Sequence, residues 1–290
     1  MMFPLIAVLV TACEPGSGGR PSASASTSPS PSPSPSPKTA AHVFVIVMEN
    51  TSYQQALGQP YIASLAQQYA VATNYHAVGS PSLPNYLAMT SGSTWGIADD
   101  GYHQLPAGGI GSALTATGIS WKAYMEGFTG DCFNSPYPYA LKHNPFPYYG
   151  GSCPSNVVPM TDLAADLQGS TPQLAWITPG MCNDGHDCSL RTADRWLSTM
   201  VPQITSSPAW GNGGVLFVVW DESSAADRHV AMLVVSKSLR GQITTPLDHY
   251  SLSATISDEL GVPRLGEAGQ ATSLAKQLDA ARATGSPSSG

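Results

Sequence analysis

Three stretches of the chain are almost wholly apolar: His42–Met48, Gly214–Trp220 and Val230–Val235. Runs rich in β-branched residues with no polar alternation are the signature of strands buried on both faces of a parallel sheet. Ile119–Tyr124 and Leu174–Thr178 read as further strands. Between them the period changes. Pro60–Ala70 carries Ile62, Leu65 and Ala66 at helical spacing, and Ser82–Gly92 opens with a serine cap, has proline in its first turn and ends at glycine. Asp194–Ile204, Tyr250–Leu260 and Ala268–Ala281 also read as helices. Strands alternating with helices predict an α/β domain, a mainly parallel central sheet with helices on both faces. No internal repeat is present.

Composition then trims the ends. Of 290 residues, 21–37 are Pro and Ser at all but Ala23, Ala25 and Thr27. Such a tract cannot bury a core, and at about 3.1 Å per residue it is a semi-rigid spacer of roughly 50 Å. Before it, an apolar run ends in Val10-Thr11-Ala12-Cys13, which looks like a bacterial lipobox with Cys13 as the lipidated residue, although no Lys or Arg precedes it. The expected organisation is a signal and lipobox segment over 1–13, a linker over 14–38, a catalytic domain over 39–283 and a tail over 284–290. The protein is expected to be exported, secreted or anchored to the bacterial cell envelope, touching membrane only through Cys13. A hydrophobic content of 42% supports a core, and a net charge of −7 argues against a nucleic-acid partner.

Setting Cys13 aside leaves Cys132, Cys153, Cys182 and Cys188. An even number in an exported protein predicts two disulfides, with three connectivities open. Proximity favours Cys132–Cys153 and Cys182–Cys188. The run Cys-Asn-Asp-Gly-His-Asp-Cys (182–188) is no zinc-ribbon pattern and reads as a stapled site loop.

Candidate chemistry gathers at strand ends, where open α/β sheets bind ligands. Two apolar strands end in Glu49-Asn50 and Asp221-Glu222, oxygen donors suited to one hard divalent cation. Ser82 stands at a helix start, where free N–H groups favour a phosphate and a nearby cation would activate its hydroxyl. His186, between Asp184 and Asp187, and His143, in Lys-His-Asn-Pro-Phe, are candidates for proton transfer. His76, His229 and His249 are weaker candidates, His42 opens a strand, and His103 has uninformative neighbours.

Six segments in order carry a resemblance: VIVMENTSY (45–53), PSLPNYLAMTSG (81–92), KHNPFPYY (142–149), WITPGMCNDGHDC (176–188), VVWDE (218–222) and DHYSLSATISDELGVPRLG (248–266). Together they resemble the phosphoesterase family that joins bacterial phospholipases C with acid phosphatases, within the alkaline phosphatase superfamily. The resemblance implies that Glu49, Asn50, Ser82, Asp221 and Glu222 hold a catalytic metal and that Ser82 is the nucleophile. It implies that His143 and His186 flank the phosphoryl group, with His186 as general acid oriented by Asp184 or Asp187. Asn85, Asn144, Asp184 and Asp187, in the same motifs, are expected at the substrate. Many relatives have His where this chain has Ser80. Sulfatases carry arginine after their Cys/Ser-x-Pro-x motif, and here that position is Tyr86. A second-metal histidine is replaced by Glu222, which implies a single cation. The resulting expectation is an exported, metal-dependent acid phosphatase acting on monoesters of small molecules or lipids, phosphoinositides included, through a phosphoserine. The rivals are a phospholipase C that cleaves diesters and a non-catalytic lipoprotein that binds metal or a phosphorylated ligand.

Overall fold

The computed structural model describes residues 42–223 and 225–285. The lipobox, Cys13 and the Ser/Pro linker lie outside them. Strands are β1 Val43–Met48, β2 Ala70–Ala72, β3 Tyr75–His76, β4 Trp121–Met125, β5 Val157–Pro159, β6 Leu174–Thr178, β7 Val215–Trp220, β8 Met232–Val235, β9 Gly241–Ile243 and β10 Leu247–Asp248. Helices are α1 Tyr53–Leu57, α2 Pro60–Gln68, α3 Ser82–Ser91, α4 Gly109–Ala116, α5 Leu163–Gln168, α6 Leu190–Thr205, α7 Pro208–Gly211, α8 His249–Leu260 and α9 Ala275–Gly285.

The central sheet runs β5-β4-β6-β1-β7-β8-β2-β9. It is parallel except that β8 runs antiparallel to both neighbours, β7 and β2. Every residue of β1 is buried, although alternate side chains point to opposite faces, so both faces are covered. One helical group packs α2 against α6, and a second packs α3 against α8, which also reaches β1. A separate two-stranded pair joins β3 to β10. No helix among the described residues is long and apolar enough to cross a membrane.

Leu174–Thr178 lies where the sequence predicts it, and the other predicted strands are displaced by one or two residues. Four expectations need correction. The helix predicted over 194–204 begins four residues earlier, at Leu190. Ala70 leaves the helix predicted over 60–70 and opens β2, because Tyr69 turns extended. The last helix starts at Ala275, after a single 3-10 turn over Gly266–Gly269. Ser82 is the first residue within α3, and its cap is Pro81.

Candidate active site

Register brings the site together. In the parallel β1–β7 pair Met48 lies opposite Trp220, so the residues that follow both strands leave the sheet side by side. Backbone bonds stitch the edge: Asp221 N–H donates to Met48 O (2.9 Å), Glu49 N–H to Asp184 O (3.0 Å) and Thr51 N–H to Glu222 O (3.1 Å). Glu49, Asp184, Asp221 and Glu222 are all buried there.

Because Pro81 is the cap, the Ser82 hydroxyl is not held by the turn of its own helix. It donates to Glu49 Oε2 (3.1 Å) and Glu222 Oε1 (3.3 Å). Asp100 does the capping, accepting the Leu83 N–H at 3.0 Å. One turn on, Tyr86 donates its hydroxyl to Glu49 Oε1 (2.7 Å) and stacks on the His143 ring. Glu49 is thus held by the helix that begins at Ser82.

His143 is buried, with Nε2 3.3 Å from Glu49 Oε1 and Nδ1 3.3 Å from Asp184 Oδ2. Burial alone would lower its pKa, but the two carboxylates outweigh it and hold the ring at about 10. His186 lies 5.6 Å from His143, centroid to centroid. Its loop is closed by Cys182–Cys188, and the other predicted pair, Cys132–Cys153, is also formed. Glu126 clasps the loop's start, accepting from Gly180 N–H (2.7 Å) and Asn183 Nδ2 (2.8 Å). His186 Nδ1 meets Asp187 Oδ1 at 2.7 Å and Nε2 meets Lys142 Nζ at 3.0 Å, while Asp184 Oδ1 accepts the His186 N–H. An ammonium has donors only, so Nε2 accepts from Lys142 and the ring proton sits on Nδ1. In this arrangement Nε2 carries no proton to donate.

The remaining predicted positions fall in two groups. Asn50 lies exposed at the edge in the left-handed region (φ 51°), and its N–H donates to Asp221 Oδ1. Asn85 and Asn144 are fully buried and engaged structurally. Asn85 accepts from the Val78 and Gly79 N–H groups and donates to Gly79 and Pro81 carbonyls, which braces the loop before Ser82. Asn144 donates to Tyr139 Oη and Cys132 Sγ.

Electrostatics favour a cation here. Asp221 is pushed well above the usual carboxylate range by burial and then by Glu49 and Glu222. Glu222 is also raised, chiefly by burial, although the Ser80 and Ser82 hydroxyls oppose this. Asp221 Oδ2 is buried without a hydrogen-bond partner. Crowded buried carboxylates with an orphaned oxygen fit a hard, oxygen-preferring divalent ion. Donor atoms of Glu49, His143 and His186 also lie within 4.8 Å of one another, a grouping that could hold a metal ion where the rings are neutral.

Four residues to which the sequence assigns no role line the site: Tyr86 and Lys142, inside the quoted motifs, and Asp100 and Glu126, outside them. His249, a weaker candidate from sequence, also belongs to it. It is fully buried, with Nε2 2.5 Å from the Asp221 carbonyl and Nδ1 2.8 Å from the Tyr75 hydroxyl. The carbonyl can only accept, so Nε2 carries the proton and Nδ1 accepts from Tyr75.

A family model described as the phosphoesterase family matches residues 58–263. A probable acid phosphatase of Kluyveromyces lactis is 31% identical over 247 residues, 77% of this chain and 59% of its own length. An acid phosphatase of Aspergillus fumigatus is 29% identical, with 55% of its length covered, so this chain spans little more than half of these fungal relatives. The phosphatidylinositol-3-phosphatase of Mycobacterium tuberculosis is 28% identical over 79% of this chain and 80% of its own length. Among solved structures, a protein in the alkaline phosphatase superfamily from Vibrio parahaemolyticus superposes with a TM-score of 0.57 at 12% identity, over 79% of this chain and 69% of the other. That likeness is one of fold.

Proposed function

The chain belongs to the phosphoesterase family, and from that membership we propose that it is an exported, metal-dependent acid phosphatase that hydrolyses phosphate monoesters through a phosphoserine at Ser82. The observation that carries this reading is the Ser82 hydroxyl, buried at the first turn of α3 and shared between Glu49 and Glu222. Glu49, Asn50, Ser82, Asp221 and Glu222 would hold a divalent cation, which would supply positive charge to the serine and phosphoryl oxygens.

Glu49 or Glu222 takes the Ser82 proton as Oγ bonds to phosphorus and the ester P–O bond breaks. His186 serves both half-reactions. Doubly protonated, it donates from Nε2 to the departing alcohol. The neutral ring left behind is the form implied by the Lys142 contact, and it accepts the proton of the water that hydrolyses the phosphoserine. Ser82 then recovers its proton from the carboxylate. Asp187 on Nδ1 keeps the ring oriented through both steps. The acid phosphatase and phosphatidylinositol-3-phosphatase relatives support the monoester reading, with phosphorylated lipids among the substrates.

Two variants test it. Ser82→Ala is expected to cut kcat on p-nitrophenyl phosphate by about 10³-fold or more while keeping a native melt. Asp221→Asn is expected to lose turnover together with the rise in Tm that a divalent cation gives the wild type. That rise is about 5–10 °C at a hundredfold excess over Kd. Near-wild-type turnover in either variant would remove that residue from the mechanism.

A further inference from the structure

Lys142 stands on the 3-10 turn Leu141–His143, beside His143 in sequence, and no motif assigns it a role. Its ammonium donates to Asp100 Oδ2 (3.0 Å) and to His186 Nε2 (3.0 Å). The other oxygen of the same carboxylate, Asp100 Oδ1, accepts the N–H of Leu83, the residue directly after Ser82. A single carboxylate therefore separates the ammonium from the nucleophile's turn. Lys142 and Asp100 are part-exposed, at 20% and 29%, so both can be reached from solvent.

The charge of the site makes this placement consequential. Four carboxylates, Glu49, Asp184, Asp221 and Glu222, crowd the strand ends, and a phosphoryl group on Ser82 would bring more negative charge among them. Phosphoryl transfer spreads charge over three equatorial oxygens, and each needs a donor or a cation. Lys142 reaches this site through His186, whose backbone N–H is held by Asp184. An ammonium has three donors. Asp100 takes one and His186 another, and among the described residues no contact takes the third.

We propose that Lys142 is a catalytic residue that clamps a non-bridging phosphoryl oxygen with its third N–H, and that Asp100 is the positioning residue that ties this clamp to the turn carrying Ser82. The proposal deepens the phosphatase reading and rests on it.

The test measures inorganic phosphate binding calorimetrically in divalent-cation-supplemented buffer, with p-nitrophenyl phosphate kinetics and thermal melts alongside. Lys142→Met is expected to weaken phosphate binding about tenfold or more, the size of a lost charged hydrogen bond, and to lower kcat, with Tm within a few degrees of wild type. Lys142→Arg is expected to keep phosphate affinity within a few-fold of wild type. Asp100→Asn retains an acceptor for the Leu83 N–H but removes the charge that steers the ammonium. It is expected to weaken phosphate binding several-fold without lowering Tm, which a purely capping role would not do. Wild-type phosphate affinity in a normally melting Lys142→Met protein would overturn the clamp. Should that variant not fold, wild-type affinity in Asp100→Asn would overturn it. A wild type that binds phosphate in a Lys142-dependent way but hydrolyses no monoester would refute the phosphatase reading and leave the clamp standing. A wild type that does neither refutes both.

Discussion

His249 is where a single residue's environment decides most. Both ring nitrogens are engaged, by the Asp221 carbonyl and the Tyr75 hydroxyl, and a second ring proton on Nδ1 would require the Tyr75 hydroxyl to turn its own proton away. Burial pushes its pKa down to about 4, from an ordinary 6.5. The unfolded chain therefore binds a proton near pH 6.5 that the folded chain refuses until about pH 4. Stability from the neutral ring is complete above pH 6.5 and lost as pH falls through that window, about 3 kcal/mol in all. Urea unfolding at pH 7 and pH 4 should show this loss in the wild type and a smaller one in His249→Gln. Parallel pH curves for the two proteins would exclude the role. Sequence left His249 a weak candidate because its function passes through another residue's backbone, which only folding brings near. That Ser82, Glu49, Asp221 and Glu222 come together was legible because each stands at the end of a recognisable element. Asn85 and Asn144 share motifs with them, and what their amides bond to, the loop before Ser82 and Tyr139 with Cys132, was not legible, because motif membership does not say which way an amide points.

Two elements carry Ser82 and His186, the groups proposed to react, and each is pinned at a distance from them. Helix α3 ends at Gly92, in the left-handed region (φ 66°), where an added Cβ would lie 1.9 Å from the Leu265 carbonyl oxygen. Gly92 O also accepts the Glu267 N–H, so the helix that begins at Ser82 is seated on the segment after α8. The loop of His186 is pinned by its disulfide and by Glu126. Glu126→Ala frees Gly180 and Asn183 without touching the reacting atoms. Turnover of p-nitrophenyl phosphate is expected to fall by about 10–100-fold, since small misplacements of a reacting group are costly. Wild-type kcat in that variant would mean that the disulfide alone holds the loop. Strand β6 and helix α8 were legible to within a residue, whereas the first four residues of α6 were missed. Short ones, such as β2, β3, β9 and α7, were not, because a few residues fix no period and their pairing is decided by distant partners. The cap of α3 was misassigned for a related reason: Asp100, far along the chain, supplies the acceptor that the sequence ascribes to Ser82.

Across the whole molecule, parallel register is what gathers a site from positions as distant in sequence as 49 and 222. The sheet's order and the reversed β8 were not legible, since hydrophobic runs announce strands without their neighbours or direction. The family was legible because six short segments keep their order over most of the domain, and the match over residues 58–263 agrees. The central claim concerns which ester this assembly cleaves. The most direct test measures hydrolysis of p-nitrophenyl phosphate and p-nitrophenyl phosphorylcholine side by side, with the disulfides intact and a divalent cation supplied. A dominant monoester rate is the predicted result. A dominant diester rate, or no hydrolysis of either across a panel of cations and pH values, would contradict it.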